Sequence, residues 1–234
     1  MTAAELASKT DHTILKPEAS SGEVHRVVTE AMQLGCATVC VAPVWVGRVA
    51  SMLRGQPIAT GVCSVVGFPH GSSKPTVKAI EATSVIKDGA DEIDVVAFLP
   101  NLLAGDVEAT KGELREIVRA ARATRADVVI KVIVESTLLF KALGPDRGAA
   151  ALAAACRAVR ESGADFIKTC TGFHPAGGAT AETVRILKAN AEGLGVKAAG
   201  GIRDLATARA MLDAGADRLG MSATVAVLDE LKRE

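Results

Sequence analysis

Ser162-Gly163-Ala164-Asp165-Phe166-Ile167-Lys168 passes from a helix end to a strand in seven residues: a helix-stopping Gly, a short polar step, then strand formers. The same junction stands at three other places. Leu34-Gly35-Cys36-Ala37-Thr38-Val39-Cys40-Val41 carries it, as do Asp88-Gly89-Ala90-Asp91-Glu92-Ile93-Asp94-Val95-Val96 and Ala214-Gly215-Ala216-Asp217-Arg218-Leu219-Gly220. A Gly just past a helix takes the left-handed conformation that ends it and turns the chain back toward the sheet. Four such junctions in one chain imply repeated βα units and a parallel sheet.

Outward from these junctions, strands are expected near 10–14, 37–42, 58–66, 91–96, 127–134, 164–169, 195–199 and 217–220. Helical patterns fill 21–34, 75–88, 106–124, 146–162, 180–192, 204–214 and 222–232, while 43–57 carries no clear assignment. Pro75 suits the first turn of its helix, and Asp204 the start of another. Eight strands in 234 residues favour an α/β fold of the (β/α)8 TIM-barrel type, residues 1–234 forming a single domain. A doubly wound open sheet is the other parallel arrangement. It would more often show a Gly-rich nucleotide loop after its first strand, and none is present.

The composition suits this reading. Hydrophobic residues make up 49% but aromatics only 3%, with no Tyr, so the core is aliphatic, as in buried parallel strands and their covering helices. The 27 basic and 27 acidic residues cancel, which gives no long-range attraction to nucleic acid or to an anionic membrane. No apolar run approaches the ~20 residues of a membrane helix. The start, Met1-Thr2-Ala3-Ala4-Glu5-Leu6, lacks the features of a signal peptide. Cys36, Cys40, Cys63, Cys156 and Cys170 are odd in number and lie in apolar segments, as free thiols of a reducing compartment do. A cytoplasmic protein is expected.

Chemistry in such a barrel belongs at the C-terminal ends of the strands. Asp94, Lys131, Lys168 and Lys197 interrupt otherwise apolar strands there, on four consecutive strands. Lys and Asp are seldom fully buried without a partner or a task. Each lysine could simply neutralise a nearby carboxylate, but one site accounts for all four together. Several lysines and a carboxylate in a dry pocket suit Schiff-base catalysis. An amine attacks a carbonyl only when neutral, so a lysine of ordinary pKa about 10.4 must lose roughly three units. Adjacent strands lie ~4.8 Å apart, bringing Lys168 and Lys197 within ~6 Å; two ammonium groups there repel by roughly 2.8 kcal/mol, or about two units. Partial desolvation supplies the remainder.

The segment Phe166-Ile167-Lys168-Thr169-Cys170-Thr171-Gly172-Phe173 resembles the active-site segment of deoxyribose-phosphate aldolases. The resemblance runs along nearly the whole chain. It takes in Asp11-His12-Thr13-Ile14-Leu15, Val39-Cys40-Val41-Ala42-Pro43, Gly67-Phe68-Pro69-His70-Gly71 and Asp91-Glu92-Ile93-Asp94-Val95-Val96. Lys131-Val132-Ile133-Val134-Glu135 and Lys197-Ala198-Ala199-Gly200-Gly201-Ile202-Arg203 complete it. It implies reversible cleavage of 2-deoxy-D-ribose 5-phosphate to acetaldehyde and D-glyceraldehyde 3-phosphate, in deoxyribose phosphate breakdown. By matching position, Lys168 is the Schiff-base lysine, Lys197 the cation beside it and Asp94 the proton carrier. Asp11, Lys131 and Thr171 line the same pocket. The iminium is the electron sink, so neither metal nor cofactor is called for. A homo-oligomer, in the first instance a dimer, is expected.

For the phosphate end, Gly200-Gly201 after the seventh strand brings backbone amides close to an anion, and Ser222 offers a hydroxyl at the start of the last helix. By resemblance Gly172 joins them. Three departures stand out. Met221-Ser222-Ala223 lacks one of the family's hydroxyls, His174 replaces a small residue, and there is no C-terminal Tyr. Cys36 and Cys40 lack further ligands at zinc spacing, and Cys170, without a nearby base, reads as a packing residue. Another Schiff-base aldolase or isomerase, and a barrel that binds a phosphorylated ligand without turnover, remain as alternative readings.

Overall fold

The computed structural model describes residues 1–57 and 59–233; Ile58, the first residue expected in the third strand, and Glu234 lie outside them. The strands are β1 (Thr10–Ile14), β2 (Thr38–Val41), β3 (Gly61–Val66), β4 (Glu92–Val96), β5 (Val129–Ile133), β6 (Phe166–Lys168), β7 (Gly195–Ala199) and β8 (Arg218–Met221). All pair in parallel in chain order, and β8 returns to β1 through Asp11 opposite Gly220. The barrel is closed, as expected, and the open-sheet alternative is set aside.

Outside it run α1 (Ala3–Ser8), α2 (Ser21–Leu34), α3 (Val46–Leu53), α4 (Pro75–Lys87), α5 (Leu99–Ala104), α6 (Val107–Thr124), α7 (Ser136–Leu143), α8 (Pro145–Ser162), α9 (Ala181–Asn190), α10 (Leu205–Asp213) and α11 (Thr224–Lys232). The four junction glycines, Gly35, Gly89, Gly163 and Gly215, have φ of 71°, 113°, 86° and 105°, so the turn that sets the repeat is left-handed each time. Four short helices, α1, α3, α5 and α7, were not expected from the pattern of apolar residues. Six to eight residues give barely two turns, too few to display a 3.6-residue period. Thus α3, behind the 3-10 turn Pro43–Trp45, fills the unassigned span, and α5 and α7 occupy expected loops. The last helix begins at Thr224, which leaves Ser222 in the loop before it rather than on its first turn.

Strand side chains alternate between two environments. Val39, Ile93, Ile130, Val132, Ile167, Val196 and Leu219 pack outward against the helices, all fully buried in the large apolar cluster. The inner cluster is small: Cys40, Cys63 and Val65, with Leu15 and Phe68 at its edge. Barrel interiors are ordinarily filled by branched aliphatic residues. Much of this one is filled by charged groups, and that sets the site. Among the described residues no helix is long and apolar enough to cross a membrane.

Candidate active site

Register brings the charged strand residues together. Asp94 is level with Lys131, and Lys168 with Lys197; Lys168 also pairs with Ile133, two residues beyond Lys131 and nearer the C-terminal end. Asp94 lies at the centre. Its Oδ1 accepts from Lys131 Nζ at 3.0 Å, and its Oδ2 from both Lys168 and Lys197 Nζ at 2.6 Å. Lys197 also bonds Asp11, whose other oxygen accepts from Arg218 at 2.6 Å. Lys131 reaches Glu92 at 2.5 Å and Asp11 at 3.7 Å.

These contacts join seven charged side chains into one network: Asp11, Glu92 and Asp94 against Lys131, Lys168, Lys197 and Arg218. Burial alone would raise the pKa of Asp94, but the ammonium groups of Lys131, Lys168 and Lys197 outweigh it and hold the carboxyl well below its ordinary range. Asp11 is lowered in the same way, against burial, by Lys197, Lys131 and Arg218. Conversely, burial would lower Lys197 and Lys131, yet the facing carboxylates, Asp11 and Asp94 for the first and chiefly Asp94 for the second, raise both. Lys197 is therefore a firm cation. It does not face Lys168 across empty space, as a simple pair of strand neighbours would, because Asp94 Oδ2 sits between them.

A cavity of about 400 Å³ opens over this network, walled by the segments that follow β1, β6, β7 and β8 and by one side of α2. Lys168, 3% exposed, is the one member of the network that lines it. Thr171, Gly172, Gly200, Gly201 and Ser222 line it too. Asp94, Lys197, Lys131 and Asp11 are fully buried beneath. For Asp11 and Lys131 this differs from the expected place on the pocket wall: both point into the barrel, a layer below the substrate space. The glycine loops meet by direct backbone contact. A Cβ on Gly178 would stand 2.1 Å from the Gly200 carbonyl oxygen, and one on Gly200 would stand 3.0 Å from Gly178 Cα and 3.1 Å from Gly172 Cα. Any side chain there would part the loops.

Several members escaped the sequence reading. Glu92 and Arg218 sit at strand starts, where charge reads as a solvated end. Cys63 Sγ lies 3.4 Å from Asp94 Oδ1 and 3.5 Å from Lys131 Nζ. Glu135 follows β5 with φ 49°, a left-handed conformation that costs a non-Gly residue about 1 kcal/mol. Its buried carboxylate accepts the Thr171 amide at 2.7 Å and holds the loop beyond Lys168. Arg203 lines the cavity, exposed and with no carboxylate partner among the described residues. His174 is half-buried rather than in solvent: its Nδ1 accepts from Ala176 N at 3.1 Å, and it stands outside the cavity wall. Cys170 is buried in packing, its thiol pKa raised by burial. Cys36 belongs to the outer cluster and Cys40 to the inner, so the two do not converge. Cys40, Cys63 and Asp94 bring donor atoms within 4.8 Å of one another, but ammonium groups already take the cation's place at Asp94.

The DeoC/LacD family aldolase model matches residues 6–228. The deoxyribose-phosphate aldolase of Mycobacterium tuberculosis is 48% identical over 232 residues, 98% of this chain and 97% of that protein. Its counterpart in Mycobacterium avium is 46% identical over 231 residues, 98% of each. The tetrameric deoxyribose phosphate aldolase of Aeropyrum pernix superposes with a TM-score of 0.87 at 34% identity, covering 99% of this chain and 92% of that one. By fold, by the lysine-rich barrel mouth and by similarity along its length, this chain belongs to the DeoC/LacD family of aldolases.

Proposed function

We propose that the enzyme cleaves 2-deoxy-D-ribose 5-phosphate to acetaldehyde and D-glyceraldehyde 3-phosphate, and catalyses the reverse addition, through a Schiff base on Lys168. The observation that carries this reading is that Lys168 alone in the charged network reaches the cavity, and that its one carboxylate contact is an oxygen shared with Lys197. Lys131, Lys197 and Arg218 each meet two carboxylates or more. With Lys168 as the free amine, the buried set holds three cations and three carboxylates.

The neutral amine adds to the C1 aldehyde of the open-chain sugar, and the carbinolamine loses water to give an iminium. The C2–C3 bond then breaks and its electron pair moves toward the iminium nitrogen, leaving an enamine, while the C3 hydroxyl proton departs to a base. Asp94, acting through water, takes that proton and returns one to C2; hydrolysis releases acetaldehyde and Lys168. The Gly172, Gly200 and Gly201 amides, the Ser222 hydroxyl and Arg203 hold the phosphate. The deoxyribose-phosphate aldolases among the relatives support this substrate. A homo-oligomer, a dimer before a tetramer, completes the proposal, and light scattering distinguishes the two.

The decisive test is trapping. Borohydride added with acetaldehyde should leave an N-ethyl group on Lys168, located by peptide mapping, while the enzyme alone releases acetaldehyde from deoxyribose 5-phosphate. Ethylation confined to exposed lysines rejects the mechanism. A second test addresses the phosphate end. Ser222→Asp should raise KM for deoxyribose 5-phosphate about tenfold or more by like-charge repulsion, and change KM for deoxyribose by less than about twofold. Equal losses on both sugars would place the phosphate elsewhere.

A further inference from the structure

α2 contributes Glu23, Arg26 and Val27 to the wall of the same cavity, and the phosphate reading leaves this part of it unused. Arg26 lies on that wall, and it also lines the shallow groove that continues past Ser222. Its Nη1 donates to Glu30 Oε1 at 2.6 Å, one helical turn along. Glu30 is held in turn from inside the protein. Its Oε2 accepts from His12 Nε2 at 2.9 Å, the direction being set because an ionised carboxylate only accepts. His12 is 1% exposed on β1, and its Nδ1 meets Thr224 Oγ1 at 2.8 Å. Thr224 opens α11 two residues after Ser222, and its hydroxyl oxygen lies 3.3 Å from the Met221 carbonyl oxygen.

One chain of polar contacts therefore runs from the loop carrying Ser222, through a buried histidine, to a guanidinium on the wall of the same cavity. Bracing α2 against α11 requires only Glu30, His12 and Thr224. The guanidinium at the outer end adds nothing to that brace, and it has donors beyond the one given to Glu30. A phosphate monoester carries about −1.5 to −2 charge at neutral pH and three acceptor oxygens. Near it, Lys168 is committed to the carbonyl, and Lys16 and Arg26 each give one donor to a carboxylate, Glu23 and Glu30; of the cations on the wall, Arg203 and Arg26 offer the planar fork that pairs with two phosphate oxygens.

We infer that Arg26 is a further phosphate-binding and specificity-determining residue, held at the wall of the cavity that the glycine loops share by the Glu30–His12–Thr224 chain. The inference rests on the phosphate reading of this cavity, and extends it to a residue on α2. Arg26 is exposed, so its replacement leaves the core intact. Arg26→Gln should raise KM for deoxyribose 5-phosphate about fivefold to tenfold with kcat within about twofold, and leave kcat/KM for unphosphorylated deoxyribose unchanged. Calorimetric titration with inorganic phosphate should show Kd weakened by a similar factor, and Arg26→Lys should recover part of it. Unchanged phosphate affinity in Arg26→Gln, or equal losses on both sugars, overturns the assignment. The titration needs no turnover. If the parent enzyme fails to cleave deoxyribose 5-phosphate yet loses phosphate affinity on Arg26→Gln, the reaction proposal falls and the Arg26 assignment stands.

Discussion

Lys197→Leu is expected to lower kcat at neutral pH by about a hundredfold, and the variant's activity should keep climbing into alkaline pH where the parent has levelled off. Lys168 and Lys197 nitrogens both lie 2.6 Å from Asp94 Oδ2, so they are no more than about 5 Å apart. Two ammonium groups at that distance repel by roughly 3 kcal/mol at an effective dielectric near 20, partly offset by the carboxylate oxygen between them. Removing Lys197 lifts that repulsion and also leaves Asp94 and Asp11 with one cation fewer. Both changes leave Lys168 in more negative surroundings, and the pH profile reads that change. Leucine fills most of the same space. Asp11 keeps Arg218 at 2.6 Å, and Asp94 keeps Lys131 and Lys168, so the barrel should hold. Lys197→Arg keeps the charge and should move the profile little, although its larger planar head alters the packing. A full pH–rate profile of both variants decides the matter. Loss of activity with an unmoved profile would make Lys197 a substrate contact or a proton donor.

Asp94→Asn should lower kcat by about a thousandfold, since a positioned proton carrier contributes on the order of 10²–10⁴. It should also lower stability. Removing one partner from a buried ionic network costs about 3–5 kcal/mol as an upper figure, because Lys131 retains Glu92, Lys197 retains Asp11, and Lys168 at the cavity can shed its proton. The pH dependence identifies the source. Asp94 has its folded pKa depressed by the three lysines, so its contribution is present above the unfolded carboxylate value near 4 and is lost as pH falls toward the folded value. The difference in Tm between parent and Asp94→Asn should therefore be constant from about pH 5 to 7 and narrow below about pH 4. A gap that persists undiminished at low pH would mean that the carboxylate's charge is not what stabilises the fold.

The four junction glycines, visible as residues, imposed the left-handed turns that made the parallel repeat legible. The apolar strands interrupted by Asp94, Lys131, Lys168 and Lys197 likewise announced a charged cluster, because such residues are excluded from a core unless they are paired. The short helices were not legible, since segments such as α5 and α7 take their shape from the strands and helices they bridge. Nothing in Ile133-Val134-Glu135 marks the left-handed backbone at Glu135 that lets its carboxylate reach the Thr171 amide.

Which charges share a contact is decided by barrel closure. Asp11 on β1 and Lys131 on β5 come within 3.7 Å only because the sheet returns on itself, and Arg218 on β8 joins Asp11 for the same reason. Spacing along one strand says which face a side chain takes, but how high it stands against a strand four places away depends on the accumulated register of every pair between them. The residue types that the chemistry needs were thus written locally. Lys168 at the cavity, Lys197 beneath it and Asp94 bridging the two are products of closure, since only the closed register brings three strand ends to one oxygen atom.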